Sequence, residues 1–237
     1  MRVEPAPGCA AIVVAAGAGV RMGAGMPKAL MPLGGRPLAA WCLDALAACD
    51  QITGVVVVAP AGHETELAHA MGLDLSQVVT GGRSRASSVR SGLDALDPEV
   101  ELVLVHDAAR PLVRPELIAA VIAGVGDADG AIAAAPLADT PKRVGDDRAI
   151  LETPSRAGLW LAQTPQVFRR AVLTDAFAAA RAEDRIDAAT DCASMVEAIA
   201  GRVLVVPSLT PNLKVTTPSD VRVAELLLAD TAAEHVR

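Results

Sequence analysis

Tyrosine is absent from this chain, and two phenylalanines and two tryptophans bring the aromatic content to 2% of 237 residues. Proteins that hold single-stranded nucleic acid stack bases on aromatic faces, and this chain has too few to build such a platform. Positive charge is also scarce. The 21 Lys and Arg against 28 Asp and Glu leave a net charge of −7, which argues against a nucleic-acid partner bound on a broad basic face. A small anionic ligand stays open, because cations gathered in one cleft act locally and distant charge is screened beyond ~8–10 Å. Long hydrophobic runs are missing as well: nothing reaches the ~18 continuous apolar residues of a membrane span, so no membrane partner is expected. Residues 9–20 look like the apolar stretch of a signal peptide. Glu4, Pro5 and Pro7 precede it, glycines interrupt it and Arg21 follows it, so a first core strand is the better reading. The four cysteines, Cys9, Cys42, Cys49 and Cys192, never fall in CxxC spacing. That argues against a zinc or redox motif and for small buried hydrophobes in a reducing cytoplasm.

What the chain has instead is aliphatic residues, with 52% hydrophobic content, and a length that suits one domain spanning residues 1–237 with a substantial core. Runs at 11–17, 54–60, 77–80, 100–107, 130–136 and 202–207 are apolar on successive residues, as strands buried on both faces are. Segments 38–49, 87–96 and 115–125 carry apolar residues at i, i+3 and i+4 and read as helices, and a last helix follows Thr217 or Ser219 as N-cap. Strand–helix alternation predicts an α/β fold with a doubly wound, mostly parallel sheet. Residues 137–153 break the pattern with two short polar strands around Gly145-Asp146-Asp147. An isolated hairpin is marginal in water, so this one is expected to protrude as an arm and pack on a second subunit.

Open parallel sheets bind ligands at the carboxyl ends of their strands. The first such end is AAGAGVRMGAGMPK, residues 15–28. It fails the dinucleotide fingerprint, with Met22 where a third Gly belongs, and it fails the P-loop pattern, with Pro27 before Lys28 and Ala29 after it. What remains is a strand end of small residues whose N–H groups can approach phosphates, followed by two cations, Arg21 and Lys28. A second stretch, GGRSRASSVRSGL (81–93), places Gly81 and Gly82 ahead of Ser87 and Ser88 at a helix start, a place for an anion or nucleoside; its arginines, Arg83, Arg85 and Arg90, could equally be solvated. In the third, His106-Asp107 ends the most hydrophobic strand. His106 reads as a hydrogen-bonded structural residue, and Asp107 as a ligand of Mg²⁺ or of a ribose hydroxyl, or else as a helix cap or a partner of Arg110. Lys214, between apolar neighbours in NLKVTTP, reads as facing a ligand cleft.

Together, AAGAGVRMG…MPK, GGRSRASSV, HDAARPLV, DTPKRV, QTPQVF and NLKVTTPSD resemble, in order and rough spacing, the 2-C-methyl-D-erythritol 4-phosphate cytidylyltransferases over residues 10–232. The resemblance implies a nucleotidyltransferase-type Rossmann-like fold, a homodimer, Mg²⁺, and transfer of CMP from CTP to a polyol phosphate with release of pyrophosphate. By motif position Arg21 and Lys28 match transition-state stabilisers, and Arg156 and Lys214 match residues that position the phosphate acceptor. Ala15, Ala16, Gly17, Gly82, Ser88, Asp107 and Ala108 match the CTP loops. Thr140, Thr164 and Thr190 match acceptor contacts, with Thr140 and Arg156 on or beside the arm. The sequence departs from the family at Val14, where a Pro is frequent, at Lys28-Ala29-Leu30, and at Arg83, where some members carry an acid. A ribitol 5-phosphate cytidylyltransferase, or a nucleotide-binding module without activity, stands as the alternative.

Overall fold

The computed structural model describes residues 8–17 and 26–234. In chain order the strands are β1 (Cys9–Val14), a small ribbon of β2 (Pro32–Leu33) and β3 (Arg36–Pro37), β4 (Ile52–Ala59), β5 (Val78–Thr80), β6 (Leu102–Asp107), β7 (Gly130–Pro136), a second ribbon of β8 (Arg143–Val144) and β9 (Ile150–Glu152), β10 (Trp160–Arg169) and β11 (Val203–Pro207). The helices are α1 (Leu38–Ala47), α2 (Glu64–Met71), α3 (Arg85–Ala95), α4 (Pro115–Gly124), α5 (Arg170–Ala182), α6 (Cys192–Ala198) and α7 (Pro218–Glu234).

Seven strands form one sheet in the order β11-β7-β10-β6-β1-β4-β5. All neighbours pair in parallel except β10, which runs antiparallel between β6 and β7. The apolar runs form strands because both faces of the sheet are covered. In β1, Cys9, Ala11 and Val13 point into a cluster with residues of α1, α2 and α4, while Ala10 and Ile12 point into a second cluster with α3, α5 and α6. A third, smaller cluster, built on Leu33, Leu38, Leu112, Val215 and Ala224, fastens α7 over the segment that carries Lys214.

With almost no aromatics, the layers close up through small residues. A Cβ on Gly92 of α3 would stand 2.5 Å from Cγ2 of Ile12 and 3.0 Å from Cγ2 of Val58. Only a hydrogen at that position lets the helix lie on β1 and β4.

The expected doubly wound, mostly parallel sheet is therefore present, and the two strands flanking Gly145-Asp146-Asp147 pair as β8 and β9. The sequence reading left three helices, α2, α5 and α6, and the strand β10 unassigned. β10, WLAQTPQVFR, mixes polar residues and a proline into its run. It also carries an irregularity between Ala162 and Gln166: three residues there, 163–165, stand opposite one on β7, Ala133. It therefore matches neither the alternating nor the continuous apolar pattern.

The tight approach at Gly92 makes a specific prediction. Gly92→Ala should lower the stability of the fold by about 1–3 kcal/mol through overpacking, despite the better helix propensity of alanine. Denaturant unfolding of the two proteins measures this, and an equally or more stable variant would contradict the packing.

Candidate active site

The carboxyl ends of β1 and β6, the start of α3 and the segment after β11 enclose a cleft of about 480 Å³. One wall is nearly free of side chains: Val14, Ala15, Ala16 and Gly17 continue from β1, and Gly82 faces them. The two loops meet because residue 81 is glycine; a Cβ there would lie 2.5 Å from Cβ of Ala16 and 2.9 Å from Oγ of Ser88. Ser84 caps α3, accepting from the Ser87 N–H at 3.1 Å. Ser88 accepts the N–H of Gly82 at 3.1 Å and donates to the Ser84 carbonyl at 2.8 Å, which sets the glycine turn against the helix.

The other walls carry charge. Lys28, Arg83, Arg85 and Lys214 line the cleft, and the one acid among its lining residues is Asp107. Asp107 ends β6 with its side chain 9% exposed. Its Oδ1 accepts from Nε of Arg85 at 2.9 Å and its Oδ2 from Nζ of Lys214 at 2.7 Å. Burial alone would raise the pKa of this carboxyl; Arg85 and Lys214 outweigh burial and hold it well below the usual carboxylate range. Of the two sequence readings of its partner, neither the cap nor the Arg110 ion pair is what forms: the guanidinium of Arg110 donates instead to the carbonyl of Asn212 at 2.7 Å. Of the three arginines in the second loop, Arg90 pairs with Asp94 on the surface of α3 and Arg83 with Asp187. Arg85 alone of the three turns inward, where it also reaches Sγ of Cys192 at 3.8 Å. Three arginines within eight residues look alike in sequence, and the helix start at residue 85 decides which is buried.

Beneath Asp107 lies a closed polar network. The Asp107 N–H donates to Oγ1 of Thr164 at 3.0 Å. The Thr164 hydroxyl then has its proton for Nδ1 of His106, 3.2 Å away, and Nε2–H of His106 donates to the Arg110 carbonyl at 3.2 Å. A carbonyl only accepts, so His106 is the neutral Nε2–H tautomer. Burial pushes its pKa down to about 4, against the opposing pull of the Arg110 carbonyl. His106 is structural, as the sequence suggested.

Nine of the expected residues, Ala15, Ala16, Gly17, Lys28, Gly82, Ser88, Asp107, Ala108 and Lys214, come together on this cleft. Thr164 is its buried floor rather than its lining. Thr140, Arg156 and Thr190 do not line it: Arg156 is exposed and donates to the Ala138 carbonyl, Thr140 is exposed beside the β8–β9 ribbon, and Thr190 donates to Oγ of Ser194 at 3.3 Å, next to the Asp191 cap of α6. Arg21 lies outside the described residues. The sequence reading missed Leu38 and Thr216 as lining residues; Thr216 stands two residues after Lys214 in the quoted NLKVTTP, whereas nothing beside Leu38 in sequence marks it. The four cysteines are free and buried, as expected.

The model of the 2-C-methyl-D-erythritol 4-phosphate cytidylyltransferase (IspD) family matches residues 9–230. This chain belongs to that family. It is 47% identical over 224 residues to the 2-C-methyl-D-erythritol 4-phosphate cytidylyltransferase of Frankia casuarinae, covering 94% of this chain and 82% of that one. It is 46% identical to the enzyme of the same name from Streptomyces avermitilis, covering 93% and 91%. Among solved structures, the enzyme of that name from Thermus thermophilus superposes with a TM-score of 0.76 at 32% identity over 92% of this chain and 97% of its own. A 4-diphosphocytidyl-2C-methyl-D-erythritol synthase from Anaerococcus prevotii gives a TM-score of 0.82 at 28% identity over 95% and 100%. The family resemblance drawn from the motifs is thereby established, and with it a nucleotidyltransferase enzyme.

The buried network gives two measurable expectations. Thr164→Val keeps the shape but leaves the Asp107 N–H and Nδ1 of His106 without partners, and should cost about 1–3 kcal/mol of stability. His106 should show no titration by NMR between pH 5 and 8. Its folded pKa lies below the 6.5 of a free imidazole, so its contribution is complete above pH 6.5 and is lost as the pH falls toward 4. At about 1.4 kcal/mol per pH unit that loss is on the order of 3 kcal/mol. A His106 that protonates near pH 6.5 would contradict the network.

Proposed function

We propose that this chain transfers CMP from CTP to 2-C-methyl-D-erythritol 4-phosphate, releasing pyrophosphate, in the synthesis of isoprenoid precursors by the non-mevalonate route. The observation that carries the reading is the cleft itself: four cations around a wall of small residues at the strand ends, with one carboxylate. Such a site suits two polyanions meeting. The acceptor phosphate oxygen attacks the α-phosphorus of CTP and pyrophosphate leaves in line, so positioning and charge stabilisation supply most of the catalysis. Backbone N–H groups at Ala16 and Gly17, beyond the Ala15 N–H that donates to the Val58 carbonyl at 2.9 Å, reach the triphosphate because no side chain stands in front of them. Lys28 and Arg21 meet the charge that develops on the α-phosphate and the leaving group. Lys214, its side chain 41% exposed, leaves Asp107 for the acceptor phosphate, while Arg85, at 23%, stays and keeps the carboxylate paired. Gly82 and Ser88 face the nucleoside.

Among the described residues no group of three or more His, Cys, Asp or Glu could hold a metal by itself. A single carboxylate in a phosphate site fits Mg²⁺, which keeps most of its ligands as waters and substrate phosphates. Asp107 would hold it, and the ion would neutralise phosphate charge and fix the triphosphate in one geometry.

The arm completes the site from a second subunit. Val144, Ile150 and Leu151 on β8 and β9, with Leu159, Trp160 and Leu161 beside them, are all at least 41% exposed. An apolar patch of this kind marks an interface, and in a homodimer it delivers Thr140 and Arg156 to the partner's cleft. Among the described residues no helix is long and apolar enough to cross a membrane, and the free thiols suit the cytoplasm.

Pyrophosphate release from CTP and Mg²⁺ tests the reaction. It should require 2-C-methyl-D-erythritol 4-phosphate; release with ribitol 5-phosphate alone would move the chain to the alternative acceptor. Lys28→Ala should lower kcat by ~10²–10³. Arg156→Ala should raise the KM for the acceptor and also lower kcat. Mixing the two impaired variants in equal amounts should restore about a quarter of the activity if the arm crosses, since mixed dimers keep one intact site. No restoration would place Arg156 in its own subunit's site or outside both.

A further inference from the structure

Lys214 comes from a long stretch of irregular backbone that reaches the cleft. Between the end of β11 at Pro207 and the start of α7 at Pro218 there is no strand or helix to hold it. Its ammonium is nevertheless placed 2.7 Å from Asp107. Two anchors bracket it. One residue beyond, the Val215 N–H donates to the Ala109 carbonyl at 2.8 Å, with the Val215 side chain fully buried in the cluster under α7. Two residues before, Asn212 is 4% exposed. Its side-chain amide nitrogen donates to the Thr164 carbonyl at 2.8 Å and to Oε1 of Gln163 at 2.9 Å, and its backbone carbonyl accepts from Arg110. The Thr164 carbonyl only accepts, so the amide cannot be turned round.

We propose that Asn212 is a positioning residue for the transfer reaction: it sets Lys214 to the same turn of β10 that sets Asp107. Thr164 is the shared reference. Its hydroxyl holds the Asp107 N–H and its carbonyl holds the Asn212 side chain. Carboxylate and ammonium, one from the end of β6 and one from the segment after β11, 107 residues apart in sequence, are thus registered on one residue rather than on each other. That matters when substrate arrives. The Lys214–Asp107 contact is then given up, and only the backbone anchors remain to aim the ammonium at the acceptor phosphate. A loss of ~1 Å in placement of such a group is enough to cost a large part of its effect. Asn212 touches no substrate in this scheme; it acts through Lys214.

The inference rests on the reading of Lys214 as the acceptor-phosphate cation, and a double-mutant cycle separates the two. The kinetics of Asn212→Ala, Lys214→Ala and the double variant are measured against both substrates. Asn212→Ala should raise the KM for 2-C-methyl-D-erythritol 4-phosphate about tenfold and leave the KM for CTP within about twofold. In the Lys214→Ala background it should change kcat/KM by less than about twofold, because the group it positions is gone. A residue that only supports the fold would lower the melting temperature, disturb both KM values alike and add its full factor in either background; that result overturns the inference. If Lys214→Ala leaves the acceptor kinetics intact, the reading of Lys214 falls and this inference with it. Should Asn212→Ala fail to fold, Gln163→Ala removes one of the two acceptors of the amide. It should give a smaller rise in the same KM, masked in the same way by Lys214→Ala, and additivity there also overturns the inference.

Discussion

The ion cluster at Asp107 is the constraint around which the site is arranged. A carboxylate this deeply buried carries a desolvation cost that a single partner offsets only with good geometry and further hydrogen bonds. Here both oxygens have a cation, and the backbone beneath is held by Thr164. The two cations differ in kind. Arg85 lies at the start of a helix with a rigid fork and little exposure, whereas Lys214 is a more exposed point charge on a flexible stem. Each carboxylate oxygen is thereby compensated by a cation of its own.

The sheet supplies the setting. Its strands are aliphatic and fully buried at the centre, so their ends are fixed relative to one another by the ladder and by both helix layers. Small residues make the approach close: glycine at 92 lets α3 lie on β1 and β4, and glycine at 81 lets the two ligand loops touch. The low aromatic content and the tight cleft are then two expressions of one packing style, in which backbone reaches where side chains usually stand.

Much of this was legible in the sequence because the parallel strands are apolar on both faces and end in recognisable loops. Lys28, Asp107 and Lys214 could be named from residue type and position after a strand. Arg85 could not, since its burial depends on where α3 begins. β10 could not either: Thr164 and Gln166 are buried polar residues whose partners, Asp107, His106 and Asp191, come from distant segments. Satisfied polar residues in a core look like turn residues until their partners are known. α5 is a different case. Leu173, Ala176, Phe177 and Ala180 keep a helical period and are all buried, so the signal was present and was passed over.

The irregularity in β10 has a consequence for how this protein can vary. Residues 160–162 pair with 134–136 on β7, while 166–168 pair with 130–132 on β7 and 166–169 with 102–105 on β6; the offset is absorbed within Gln163, Thr164 and Pro165. The outer half of the strand, which follows the β8–β9 ribbon, and the inner half, which closes the sheet, therefore keep separate registers. A lengthened or shortened arm would be accommodated on one side of that joint without shifting the other. The outer half-strand can shift in this way while the half-strand under the carboxylate stays in register.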